Sequence, residues 1–384
     1  MKTQRLLSFL LVISVLFGAF MTPIFGVPSE EGVMSFDCAS AILIEAKSGT
    51  VLFEQNSDEA LPPASVTKIM TLLLVMEAIE AGKISLSDTV AASAHACSMG
   101  GSQIYLEEGE EMSVEDLLKS VVIASANDAA VALAEYVSGS EAAFVEGMNK
   151  RAAELGMKNT HFENTNGLDD TVENHLTSAR DIAIMSAELL KHKKITEYSS
   201  IWMDTIRNGE FGLTNTNRLV RFYKGANGLK TGSTSKAKFC ISASAERGGM
   251  TLIAVIMAAP TRDVRNSAAT ALLDYGFANF ALYEAKSEAL TPAKVLGGVK
   301  NSCEIKSEEF GTVVPKNELS NVKSKIEIKS EIKAPIKEGD TLGKINYYLG
   351  DKCIGYSNVV ALEEVKVINY LHMFLKILAS MSLL

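Results

Sequence analysis

The sequence predicts an α/β (α+β) chain: one helix-and-sheet domain, then a small all-β domain, then a C-terminal amphipathic helix. Three observations predict it. Strand patterns stand at both ends of a helix-rich stretch, so one sheet can join the two ends of that domain. Helical patterns stop at about residue 285 and short alternating stretches replace them. The last residues alternate polar and apolar positions at helical spacing. A length of 384 residues suits two domains with terminal segments. The expected division is 1–26 leader, 30–285 helix-and-sheet domain, 286–364 all-β domain and 365–384 terminal helix.

Within the first domain, Ala41-Ile-Leu-Ile-Glu45 and Thr50-Val-Leu-Phe-Glu54 read as two strands joined by a turn at Lys47-Ser-Gly49. A helical pattern runs from Ser65 to about Ala81 and ends at Gly82. Further helices are expected over Leu117–Tyr136, Glu141–Leu155 and Thr177–Leu190, the last with Thr177 as N-cap. Strands return at Lys238–Ala245 and Thr251–Met257, and a helix over Ser267–Gly276 closes the domain. In the next segment Val322, Ser324, Ile326 and Ile328 alternate with Lys323, Lys325, Glu327 and Lys329, the pattern of a half-buried strand.

The ends and the composition narrow the class. Lys2 and Arg5 precede the apolar run Leu6–Phe20, and small residues close the segment near Gly26, the order of a secretory signal peptide cleaved after Gly26. The run is short for a transmembrane anchor. At the other end Lys366, Asn369, His372, Lys376 and Ser380 form a polar stripe opposite Val367, Ile368, Leu371, Phe374, Leu375 and Leu378. Such a helix is expected to lie in a membrane interface. The alternatives are a packed terminal helix or a short spanning one, and Lys376 in mid-segment disfavours spanning. A net charge of −9 argues against nucleic acid as a partner. Cys38, Cys97, Cys240, Cys303 and Cys353 are scattered and lack the usual zinc spacings. Cys240 lies in an apolar stretch and reads as core.

Three short motifs carry chemistry. Ser65-Val-Thr-Lys68 opens the first long helix, where positions three apart share a face, so the amine can reach the hydroxyl. A serine needs a base to become a nucleophile, and a lysine serves if burial or nearby charge lowers its pKa. The helix N-terminus also offers N–H groups for an oxyanion. The same spacing occurs at Ser235/Lys238, Ser320/Lys323 and Ser330/Lys333, where surface lysines explain it; Pro62-Pro63-Ala64 and the apolar run after Lys68 single out Ser65. Ser125-Ala-Asn127 interrupts an apolar helical region, and buried polar groups there need partners or a task. Taken alone, a satisfied helix break explains it. Lys230-Thr231-Gly232, followed by Ser233, suits a strand edge that a substrate backbone approaches, with a lysine to attract a carboxylate. The triplet Lys47-Ser-Gly49 belongs to the first hairpin turn and is set aside.

In that order, these motifs resemble those of the penicillin-binding protein and serine β-lactamase superfamily. Pro62-Pro-Ala-Ser-Val-Thr-Lys-Ile-Met70, Met99-Gly-Gly-Ser-Gln-Ile-Tyr-Leu106, Ser125-Ala-Asn-Asp-Ala129, Asn159-Thr-His-Phe162, Asn166-Gly-Leu168, Thr177-Ser-Ala-Arg-Asp181 and Gly228-Leu-Lys-Thr-Gly232 look like the low-molecular-mass D-alanyl-D-alanine carboxypeptidases of peptidase family S11. The resemblance runs from about residue 36 to the C-terminus. It implies a transpeptidase-like fold with helices packed on an antiparallel sheet, and removal of the terminal D-alanine from peptidoglycan pentapeptides through an acyl-enzyme. It implies acylation by β-lactams, a place at the outer face of the cytoplasmic membrane or in the cell wall, and neither cofactor nor metal. Ser65 would be the nucleophile, Lys68 its base, Ser125 with Lys230 a polar relay, and Asn127 a substrate contact. Thr231, Gly232 and Ser233 would line the substrate strand, with the backbone N–H groups of Ser65 and Ser233 as oxyanion hole. Arg265, or failing it Arg262, would bind the terminal carboxylate from a strand end. Ser233 stands where relatives often carry a bulkier side chain. No histidine is given a role; His161 looks like a surface position of the family. A class A β-lactamase would share the motifs, but Glu163 does not sit in the glutamate–asparagine pattern expected there. A penicillin-sensing receptor or a wall-binding scaffold are the non-enzymatic readings, and the five polar groups Ser65, Lys68, Ser125, Asn127 and Lys230 speak against a scaffold.

Overall fold

The computed structural model describes residues 34–374. The expected leader, and the tail from Leu375 on, lie outside the described residues. Five antiparallel strands, β1 (Ser40–Glu45), β2 (Val51–Gln55), β3 (Ala226–Thr234), β4 (Lys238–Arg247) and β5 (Met250–Ala259), pair in the order β2-β1-β5-β4-β3. The sheet therefore joins the start of this part of the chain to its end. Its central strands are apolar on both sides, and the period of two sorts their side chains between two cores. Ile42, Ile44, Ile253, Val255 and Met257 face a large helical layer. Ala41, Leu43, Leu252, Ala254 and Ile256 face Leu272, Leu273 and Phe277 of the helix Arg262–Asn279.

The helical layer centres on α1 (Lys68–Glu80), buried on nearly every side because its apolar run leaves no polar face. A one-turn 3-10 segment, Ala64–Thr67, leads into it. Around α1 pack α2 (Asn127–Ser138), the helix Glu141–Glu154 and α3 (Ala179–Leu189). The stretch expected as one helix over Leu117–Tyr136 is broken: Val114–Lys119 runs into a π-turn at Ser120–Ala124, and Ser125 has φ +64° before α2 begins. The cap of α3 is Ser178, whose hydroxyl accepts from the Asp181 N–H, and not Thr177, whose backbone pairs with Leu61. The helix after β5, here α4, starts at Arg262 rather than Ser267, because the Thr261 hydroxyl accepts from the Val264 N–H and caps it.

The C-terminal part is all β, in a six-stranded and a two-stranded sheet. Phe280–Ala285 pairs with Phe310–Pro315, so the β part begins before the expected boundary at 285/286. Val322–Ile328 is a strand, but it lies at a sheet edge with almost every residue exposed, not half-buried. Val365 is buried and bridges Ile336, and Val367 bridges Gly298. Those pairings hold residues 365–367 in the β unit, so the terminal helix starts at Tyr370 and not at 365.

Leu43 is the β1 side chain wedged under α4, where a Cβ added at Gly276 would meet its Cδ2 at 2.9 Å. Leu43→Ala is expected to lower the unfolding free energy by about 2–5 kcal/mol, the cost of a buried leucine cavity, measured by denaturant unfolding.

Candidate active site

The site lies where the 3-10 turn, the Ser125 break and the edge strand β3 meet. Ser65 sits in the 3-10 turn, half-buried, and Lys68 is the first residue of α1, fully buried. The one-turn spacing brings the Lys68 Nζ to 2.9 Å from the Ser65 Oγ. That contact works in either proton state: an ammonium donates to the hydroxyl, and a neutral amine accepts its proton. Lys68 also donates to the Asn127 Oδ1 at 2.5 Å and to the Asn166 carbonyl at 2.8 Å. Burial, then the nearby charge of Lys230, lower its pKa well below the usual lysine value, and Asp128 opposes them.

A second lysine–hydroxyl pair faces the first. Lys230, fully buried on β3, donates to the Ser125 Oγ at 2.7 Å and to the Thr231 carbonyl at 3.0 Å. Burial, then the Arg265 charge, push its pKa down to about 7. The left-handed backbone of Ser125, about 1–2 kcal/mol unfavourable for a residue with a side chain, turns its hydroxyl out of the helical ladder toward that amine. Asn127 spends its Oδ1 on Lys68, and its Nδ2 donates to the Gly100 carbonyl at 2.7 Å, leaving one amide hydrogen. Next to it Asp128 is buried and accepts from the Ile104 and Leu106 N–H groups, which pins the loop bordering the site.

Strand β3 closes the other wall. Thr231 is buried and donates to the Thr216 Oγ1 at 2.8 Å, whereas Ser233 is exposed opposite Phe239. Gly232 is obligatory, since a Cβ there would lie 2.8 Å from the Ser65 nitrogen and 2.9 Å from the Pro63 oxygen. As an edge strand, β3 has one side unpaired within the sheet, where an extended peptide can add. Arg265 is not at a strand end, as its spacing suggested, but in the first turn of α4. It is buried and donates to the Asn266 Oδ1 and the Cys240 carbonyl, which leaves two of its five N–H groups. Burial, then Arg262, lower its pKa to about 10. Arg262 itself is exposed.

The structure thus brings Ser65, Lys68, Ser125, Asn127, Lys230, Thr231 and Gly232 together, with Arg265 buried against the Cys240 carbonyl near enough for its charge to act on Lys230 and Ser233 exposed further along β3. Sequence reasoning missed the Asn166 carbonyl, a backbone atom with no side-chain signature, and Thr216. It also gave His175 no role, yet that ring is buried with its Nε2 2.8 Å from the Thr67 Oγ1. His161 is exposed, and the exposed Glu163 uses its carboxylate on the Asn174 N–H. Cys240 is buried and its thiol is pushed up to about 11 by that burial.

Comparison with known proteins gives concordant matches. Residues 28–261 match the D-alanyl-D-alanine carboxypeptidase family model of peptidase S11, and 277–367 match the C-terminal domain of penicillin-binding protein 5. The D-alanyl-D-alanine carboxypeptidase DacF of Bacillus subtilis is 44% identical over 375 residues, covering 94% of this chain and 95% of that protein. Penicillin-binding protein 5 of Haemophilus influenzae superposes with a TM-score of 0.79 at 33% identity, over 89% of this chain and 100% of that one. Penicillin-binding protein D2 of Listeria monocytogenes, solved in its ampicillin-bound form, does so with a TM-score of 0.59 at 31% identity over 64% and 99%.

The buried Lys230 has a thermodynamic signature. Its folded pKa is down at about 7 while an unfolded lysine titrates near 10.5, so between those pH values the unfolded chain holds more protons. Stability attributable to this group therefore rises with pH from about 7 to about 10.5. Lys230→Met is expected to flatten that rise, read as unfolding midpoints at pH 7 and pH 9.5; equal slopes in both proteins would contradict it.

Proposed function

The chain belongs to the D-alanyl-D-alanine carboxypeptidase family, whose members act through a serine acyl-enzyme and bind penicillin, and from that premise we propose a mechanism centred on Ser65. It is an enzyme of the hydrolase class, a serine-type carboxypeptidase. Family members act on peptidoglycan, which places their work outside the cytoplasm. The observation that carries the reading of the site is the 2.9 Å contact between Ser65 and a lysine whose amine is buried and held toward neutrality.

Neutral Lys68 takes the Ser65 proton as the hydroxyl attacks the carbonyl between the last two D-alanines of a stem pentapeptide. The backbone N–H groups of Ser65 and Ser233 stabilise the oxyanion. The departing D-alanine amine takes a proton through Ser125 and Lys230, whose pKa of about 7 lets it hold or release one near neutral pH. Water then opens the ester, its proton passing to the Ser125–Lys230 pair while Lys68 returns its proton to the Ser65 oxygen, which restores the starting state. The pentapeptide lies along the open side of β3, with the remaining Asn127 amide hydrogen on a substrate carbonyl. Arg265 binds the terminal carboxylate, for which a guanidinium suits a bidentate contact, and the Thr231 hydroxyl turns from Thr216 to join it. A β-lactam enters the same path and stays as an ester, as the ampicillin-bound relative supports.

The division we propose is a helix-and-sheet domain ending near residue 280, a β domain from there, and a tail from 370. We place the mature protein at the outer membrane face, after removal of residues 1–26. The tail lies in the interface: Tyr370, Leu371, Met373 and Phe374 are exposed apolar side chains, and among the described residues no helix is long and apolar enough to cross a membrane.

Ser65→Ala is expected to abolish both D-alanine release from a D-Ala-D-Ala pentapeptide and labelling by fluorescent penicillin; release that persists would reject the nucleophile. Arg265→Met should lower kcat/KM for the pentapeptide roughly 10- to 100-fold, since hydrogen bonds to charged groups are worth about 1.5–3 kcal/mol. Removing residues 370–384 should give an active protein that no longer floats with anionic vesicles, and undiminished flotation would count against the anchor.

A further inference from the structure

We propose that His175 is a positioning residue for the oxyanion hole: acting through Thr67, it fixes the peptide group that links Ala64 to Ser65. This rests on Ser65 as nucleophile and goes beyond that reading by assigning a group that does not touch the reacting atoms.

The direction of the hydrogen bonds follows from the partners. The Nδ1 of His175 lies 3.0 Å from the Glu163 backbone nitrogen, which can only donate, so Nδ1 is the bare nitrogen and Nε2 carries the hydrogen. Nε2 is 2.8 Å from the Thr67 Oγ1 and therefore donates to it. That leaves the hydroxyl hydrogen for the Ala64 carbonyl, also at 2.8 Å. The result is a one-way chain: Glu163 N–H to imidazole, imidazole to Thr67, Thr67 to the Ala64 oxygen. Burial, the largest influence, holds the imidazole pKa at about 4, against Glu163 and Asp169 and with His161, so the neutral ring this chain needs is kept.

The carbonyl at the end of that chain needs holding. Ala64 has φ +49°, a left-handed conformation that costs a residue with a side chain about 1–3 kcal/mol and persists only where neighbours impose it. Thr67 is one such neighbour. Gly167 is the other: a Cβ there would come within 1.8 Å of the Ala64 oxygen and 2.8 Å of the Thr67 Oγ1. Because a peptide group is planar, the direction of the Ala64 C=O sets that of the Ser65 N–H on its other side. The Ser65 nitrogen lies against Gly232 of β3, at the wall where the substrate carbonyl must enter. A donor a few tenths of an ångström off that line loses its preference for the transition state.

The two nitrogens can be replaced separately, and this makes the test. A glutamine amide can reach where Nε2 donates to Thr67, and an asparagine oxygen where Nδ1 accepts from Glu163. With the full chain and benzylpenicillin, the acylation rate constant k2 and the non-covalent constant K are measured separately, together with the infrared carbonyl band of the penicilloyl ester. His175→Asn should lower k2 about tenfold or more, part of the 10²–10³ that a whole oxyanion donor is worth. K should stay unchanged and the ester band should move to higher wavenumber. His175→Gln should keep k2 within about threefold and leave the band in place, on the same scale. Thr67→Val should match His175→Asn, and the double variant should be no worse than Thr67→Val alone, because both break one chain. The inference is overturned if His175→Asn keeps the parent k2 and band, if glutamine loses as much as asparagine, or if the two losses add. Should His175→Asn fail to fold, Thr67→Val and Thr67→Ser decide: valine should lower k2 and move the band while serine, which keeps the hydroxyl, should do neither, and a valine variant with the parent k2 and band overturns the inference. Failure of the parent protein to label, or labelling in Ser65→Ala, would strike the Ser65 reading instead.

Discussion

The structure hangs on the amine of Lys68. It is buried, and its three hydrogen-bond partners come from three segments: Ser65 one turn earlier, Asn127 at the head of α2, and the carbonyl of Asn166 in the loop before α3. A buried amine without partners would cost several kcal/mol, so each segment must be in place before the others are stable. That one requirement explains why a break at Ser125 and a left-handed Ala64 are tolerated. Both are local losses set against satisfaction of a group that can be satisfied in one way only.

The rest of the fold delivers these segments. The sheet carries no catalytic side chain on its central strands; it supplies a floor, with cores on both sides, and an edge at β3. The helix α1 is buried on nearly every side, so Lys68 at its first residue cannot shift without shifting the core. Rigidity at Ser65 and Lys68 is thus inherited from hydrophobic packing, and polarity enters only where elements end: the 3-10 turn, the helix break, the strand edge. Glycine appears at these junctions for steric reasons. Gly232 and Gly167 each leave space that a Cβ would take from the backbone around Ser65.

How much of this was legible depended on whether a contact is local. Ser65 with Lys68 could be read from spacing, because one helical turn fixes it. Lys230 with Ser125 could be read only from the family resemblance of the motif order, since nothing in either triplet says that residues so distant in sequence will meet. The early start of α4 has a local signal in Pro260 and Thr261 followed by Asp263, the composition of a helix N-terminus. Thr177 was the expected cap, but its backbone bridges Leu61 and the cap falls to Ser178, a long-range pairing that local composition does not reveal. The Asn166 carbonyl was beyond reach, because a backbone atom has no letter in the sequence. His175 was beyond reach for another reason: a histidine acquires a task from what surrounds it, and its surroundings come from the 3-10 turn and the loop at Glu163.

The electrostatics follow from the same crowding. Two lysines and Arg265 stand close together with one buried carboxylate, Asp128, among them, and that carboxylate also holds the loop 104–106. Like charges in a dry site cannot all persist, and arginine does not give up its proton, so the lysines are the groups that yield. Burial does most of the lowering; beyond it the Arg265 charge lowers Lys230, and the Lys230 charge lowers Lys68. In the proposed mechanism, a residue suited to binding an anionic chain end thereby also prepares the base. A carboxylate arriving beside Arg265 would weaken that field and let Lys230 hold its proton more firmly. The relay would then carry a proton in the state in which a substrate is bound, when a leaving amine is about to need one.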